Sequence, residues 1–73
     1  MLHHQVIVGN RAIIIRQTFS NSETDFHIEY RPVNPATGKP WQASRTIAHL
    51  EDTTKAKAMW AWLMECNKAR ANG

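Results

Sequence analysis

A single cysteine, Cys66, rules out an intramolecular disulfide and fits a reducing compartment. Long apolar runs are missing as well: none approaches the roughly 18 residues of a membrane span. The start, Met1-Leu2-His3-His4-Gln5, lacks the basic head and small-residue cleavage site of a secretory signal. These shortages point to the cytoplasm. Repeats, low-complexity tracts and linkers are missing too, so residues 1–73 are expected to form a single domain. Such a short chain buries only about 60% of its unfolded surface. It has no room for a deep, shielded catalytic centre.

Catalytic and metal motifs are equally scarce. Cys66 falls near the C-terminal end of an expected helix, where the dipole disfavours a thiolate, so it reads as a buried structural residue. His3, His4, His27 and His49 show neither helical i, i+4 spacing nor a Cys-x-x-Cys companion. Adjacent His3 and His4 point to opposite faces of a strand. No metal site and no cofactor is expected, and the chain does not read as an enzyme.

What the chain does contain is β-branched alternation followed by one helix. Gln5-Val6-Ile7-Val8 and the run from Arg11 to Phe19 flank Gly9-Asn10, a glycine-first pair suited to a type II′ hairpin turn. That turn pairs Val8 with Arg11 and Val6 with Ile13, placing Val6, Val8, Ile13 and Ile15 on one face. Polar residues 20–25 form the next loop, and residues 26–31 alternate strictly as a half-buried strand. Pairing Phe19 with Phe26 sets Ile15 opposite Tyr30 and Arg16 opposite Glu29, an opposite-charge cross-strand pair. The turn Asn34-Pro35-Ala36-Thr37-Gly38-Lys39-Pro40 leads into a fourth strand, Trp41 to His49. Either parity of that strand fits the core, and a bulge would switch it midway.

The stretch from Asp52 to Arg70 reads as an amphipathic helix, capped by Asp52 or Thr53, with Glu51 and Asp52 at its start suiting the dipole. Ala56, Met59, Trp60, Leu63 and Asn67 share one face, the stripe expected to sit on the sheet. Trp62, Cys66 and Met64 widen the apolar arc beyond what one buried face takes. The expected architecture is α+β: an antiparallel four-stranded β-meander with one C-terminal α-helix on one face, ββββα. Trp60 is then core and Trp41 caps the core's edge. Trp62 and Met64 are left as anchors for a partner.

The uncovered sheet face is the second candidate surface. It is expected to show Ile7, Ala12, Ile14, Arg16, Thr18, His27, Glu29, Arg31 and Val33 to solvent. Ile14, Arg16 and Arg31 there have the mixed character of a protein-binding patch. If the face takes nucleic acid instead, Arg16, Arg31, Lys39 and Arg45 are the phosphate-contacting set. The net charge of +3 permits this, although solubility alone explains the value.

Tyr30-Arg31 closing a strand, the turn Asn34-Pro35-Ala36-Thr37-Gly38-Lys39, a further strand and then a helix resemble the AP2-like, arm-binding N-terminal domains of phage integrases. The resemblance covers residues 26–66 and implies a sheet that reads DNA through basic and aromatic residues. The chain departs from that family in its extra N-terminal strand, its fewer sheet-face cations and Glu29 in mid-sheet. In size and surplus apolar surface it is also similar to small phage or mobile-element proteins that bind and inhibit host machinery, anti-CRISPR proteins among them. The leading expectation is therefore a non-enzymatic interaction protein that binds and modulates a host protein or ribonucleoprotein. A sheet-based DNA-binding module is the alternative. Homodimer formation is expected when no partner is present, because two partly apolar surfaces on so small a domain stay uncovered.

Overall fold

The first hairpin forms because glycine accepts the positive φ its turn requires. The computed structural model describes residues 2–18 and 22–72. In it Gly9 has φ +62° while Asn10 does not enter the positive region, which distinguishes a type II′ from a type I′ turn. The turn joins β1 (His3–Val8) to β2 (Arg11–Gln17) and fixes the expected register, Val6 opposite Ile13 and Val8 opposite Arg11. With β3 (Phe26–Pro32) and β4 (Arg45–Leu50) they make one antiparallel sheet in the order β1-β2-β3-β4, on which α1 (Lys55–Asn72) packs. This is the ββββα meander of the α+β class.

Between β2 and β3 the register differs from the expected one by two residues. Phe19 lies outside the described residues, and the observed pairs are Gln17 with Phe26, Ile15 with Ile28 and Ile13 with Tyr30. An even slip leaves every side chain on its expected face, so the hydrophobic pattern is blind to it. The loop closes one step earlier, where the Thr18 N–H donates to the Asp25 carbonyl at 3.1 Å. Arg16 therefore sits opposite His27 and reaches Glu29 on the diagonal.

A bulge between Ile28 and Glu29 settles the parity of β4. Ala48 and Leu50 lie opposite Ile28 and Phe26 and pack on the core, while Thr46 lies opposite Glu29 on the other face. The strand begins at Arg45, not Trp41. Before it the chain is held by its own turn: the Ala36 N–H bonds the Asn34 side-chain oxygen, and the Gly38 N–H bonds the Asn34 carbonyl at 2.7 Å. Trp41 follows this turn at 48% exposure and does not cap the core.

The helix is capped by Thr54, one residue beyond the expected candidates. Its hydroxyl accepts from the Lys57 N–H at 3.2 Å. Asp52 instead occupies a left-handed turn, φ 53°, with its N–H on the Asp25 carboxylate, so the first helical turn holds no acid. The phase of the helix is the main correction. Ala58, Trp62 and Cys66 are the buried face, joining Leu2, Ile13, Ile15, Phe26 and Ile28 in one core. Trp60 and Leu63, expected in the core, are exposed. Ala58 and Cys66, one turn either side of Trp62, are small enough to let the helix approach the sheet. The indole then lies between them, donates to the Ile13 carbonyl at 3.0 Å and stacks on His4 with ring centroids 5.9 Å apart.

Candidate functional site

Two surfaces remain after the core is assigned: the sheet face away from α1 and the outward face of α1. The sheet face is built by strand alternation. Pairing lines up His3, Arg16, His27 and His49 in one row across the four strands, and Gln5, Ile14, Glu29 and Thr46 in the next. This face is less open than the pattern implies. Ala12, Ile14 and Glu29 are all buried, so Ile14 is not a partner anchor. A residue on a central strand is shielded by its cross-strand neighbours, here Gln5 and Glu29, and among the described residues Ile7 alone is a large exposed aliphatic on this face.

Glu29 organises the face electrostatically. Its Oε1 takes Arg31 Nη2 at 3.3 Å and Arg16 Nε at 3.5 Å. Burial raises its pKa, but hydrogen bonding from Ser44 and the charges of Arg31 and Arg16 outweigh that, so the carboxyl is held below its ordinary range. His27 Nε2 is 3.8 Å from Glu29 Oε2 and also meets the Thr46 hydroxyl at 3.4 Å. Burial, then the charge of Arg16, lowers the His27 pKa against the opposing pull of Glu29. At neutral pH the ring is uncharged, and the centre is a carboxylate clamped by two guanidiniums. Both arginines therefore meet an anion within the chain itself.

The four cations of the nucleic-acid alternative do not share a surface. Arg16 and Arg31 lie on the open sheet face. Arg45 pairs with Tyr30 on the helix side, its guanidinium 5.8 Å from the Tyr30 ring centroid, and Lys39 lies in the exposed turn before β4. Among the described residues no group of three or more His, Cys, Asp or Glu is arranged to hold a metal ion.

The outward face of α1 has a different character. Trp60, Leu63 and Met64 are 65%, 48% and 39% exposed and lie at i, i+3 and i+4, so they form one continuous apolar crest. Of the residues expected to anchor a partner from this helix, Met64 is on the crest and Trp62 is in the core. The over-wide apolar arc signals both surfaces, and Met64 and Cys66 lie as expected, outward and buried; Trp62, expected outward, and Trp60 and Leu63, expected inward, are reversed. Positive charge flanks the crest: Lys57, three positions before Trp60, and Lys68, four after Met64, are its helical neighbours. Four cations, Lys55, Lys57, Lys68 and Arg70, stand against the single acid Glu65, so the helix accounts for the whole net charge of +3. Glu65 is itself paired with Lys68 at 3.3 Å.

Among the described residues no helix is long and apolar enough to cross a membrane. No protein-family model, curated protein or solved structure matches the chain.

Proposed function

We propose that this chain is a non-enzymatic interaction protein that docks on a protein partner through the crest of α1. The observation that carries the reading is the contiguity of Trp60, Leu63 and Met64 on a helix whose opposite face already fills the core. Large apolar side chains gathered in one exposed patch mark interaction sites, and tryptophan is the residue most enriched at their energetic centres. The basic rim adds a preference: the partner surface is apolar at its centre and acidic around it. A phage or mobile-element inhibitor acting on a host protein or ribonucleoprotein, in the manner of anti-CRISPR proteins, fits this description of size and surface.

The test is affinity capture from a lysate of the source cell, with and without nuclease, using the wild type and Trp60→Ala/Met64→Ala. A protein retained by the wild type, insensitive to nuclease and lost with the variant supports the reading. Retention undiminished by the variant contradicts it.

A second reading, a sheet-based DNA-binding module, is favoured by the row His3, Arg16, His27 and His49. It requires Arg16 and Arg31 to exchange Glu29 for phosphates. Binding would then strengthen as pH falls and weaken steeply with salt. A gel shift at two pH values and two salt concentrations, repeated with Arg16→Ala/Arg31→Ala, tests it; binding unchanged by the variant removes it.

A further inference from the structure

The two edges of the sheet are not alike. β4 has a bulge and the charged Arg45. β1, His3-His4-Gln5-Val6-Ile7-Val8, has no lysine, arginine, acid, proline or bulge, none of the devices that keep a free edge from pairing. Its backbone alternates in direction. The Leu2 carbonyl faces β2, accepting from the Gln17 N–H at 3.1 Å, so even-numbered residues bond inward. The N–H and C=O groups of His3, Gln5 and Ile7 therefore point out of the sheet.

Helix α1 runs along this same edge. Its start lies by Leu2 and His4, its end by Val8 and Gly9, and it packs on β1 and β2. Glu65, Lys68 and Ala69 border a cleft with Tyr30 and Ile47, which identifies the helix flank turned towards β3 and β4. By helical geometry the opposite flank, with Met59 and Leu63, overhangs β1. Bare edge and apolar flank are thus continuous.

We infer that β1 pairs antiparallel with β1 of a second copy about a two-fold axis through Gln5, and that the two helices then pack side by side across the seam. Every feature needed is self-complementary. A two-fold perpendicular to the sheet keeps each residue on its own face, which demands odd residues opposite odd ones. Centring on Gln5 sets His3 against Ile7 of the second copy and satisfies every outward backbone group at once. The spacing also closes. Strands lie ~4.8 Å apart, so a helix above the β1–β2 gap is about 5 Å from the axis, and its mate is about 10 Å away. That is the distance at which helices pack, 8–10 Å or so. Running antiparallel about Leu63, the helices place Arg70 near Ala56 of the second copy, not near another cation.

The interface uses one short edge and one helix flank, fewer than the ~20–30 residues a side of a standard complex, so a micromolar dimer is expected. Leu63 is taken into the seam, while Trp60 and Met64 stay outward beside it, so the dimer leaves two copies of this Trp60–Met64 part of the crest on one side of the assembly. This inference does not rest on the proposed function: Leu63 is shared with the crest, but Ile7 lies on the sheet edge away from it, so Ile7→Lys and the oligomeric state read the dimer alone.

Sedimentation equilibrium from micromolar to near-millimolar concentration tests it on the full chain. The wild type should show a monomer–dimer equilibrium. Ile7→Lys, at a half-exposed edge position, and Leu63→Lys should each weaken it about tenfold or more without altering the monomer's circular dichroism. Amide exchange at Gln5 and Ile7 should slow as concentration rises. A monomer throughout the range, or a dimer indifferent to Ile7→Lys, overturns the inference.

Discussion

The indole N–H of Trp62 donates to the Ile13 carbonyl at 3.0 Å, joining the helix to β2 across 49 positions of sequence. The bond gives a buried polar group its partner and fixes which way the helix faces. Trp62→Ala should therefore cost about 3–5 kcal/mol, enough to unfold a domain of this size. Trp62→Phe keeps most of the packing and loses this one hydrogen bond, at a cost of about 1 kcal/mol. Trp60→Ala and Leu63→Ala should each shift stability by only about 0.5 kcal/mol. Thermal melts of the four variants separate the two faces of the helix.

Acid should destabilise the fold in two steps. The His27 pKa lies below its ordinary 6.5, so in that interval the unfolded chain holds the extra proton and stability falls as pH drops below 6.5. Glu29 lies below its ordinary 4.5, so its contribution is present above that value and is lost as pH falls through the lower, folded-state pKa. Melting temperatures from pH 8 to pH 3 should show a plateau followed by both declines. His27→Gln should abolish the upper decline and spare the lower.

The fold was legible because strand alternation, a glycine turn and a single long helix leave few arrangements. Two details were not. A two-residue slip between β2 and β3 conserves every face, so no hydrophobic pattern distinguishes Ile15 opposite Ile28 from Ile15 opposite Tyr30. The helix offers one apolar arc wider than a single buried face, and helical spacing alone puts Trp60 and Leu63 at its centre. Packing selects its Trp62 flank instead because Ala58 and Cys66 allow close approach, and because the indole of Trp62 finds a carbonyl acceptor there. Alternation assigns each residue of the uncovered sheet face, but the burial of Ile14 and Glu29 depends on neighbours from three strands.

Glu29→Gln removes the anion shared by Arg16 and Arg31. The two guanidiniums are about a third exposed and recover part of the loss from water, so destabilisation should stay at about 1–3 kcal/mol. The same substitution frees both arginines. If the sheet face takes phosphate, affinity in a gel shift should rise with Glu29→Gln; unchanged affinity argues that the face is structural.

Cys66 is fully buried, and burial raises its pKa above the ordinary thiol value. A thiol reagent should leave the folded protein unmodified at neutral pH and react at the rate of unfolding. Cys66→Ser should destabilise, since a hydroxyl replaces an apolar contact in the core. Rapid labelling of the native protein would contradict this placement.

The orientation of α1, with Trp62 inward and Trp60 on the crest, decides both the core and the docking surface. Hydrogen exchange of the tryptophan indole N–H resonances reads it directly, once each is assigned by a single Trp→Phe substitution. The Trp62 indole proton should be strongly protected, while those of Trp60 and Trp41 exchange at rates near those of free indole. A protected Trp60 with a freely exchanging Trp62 would reverse the helix and remove the proposed docking crest.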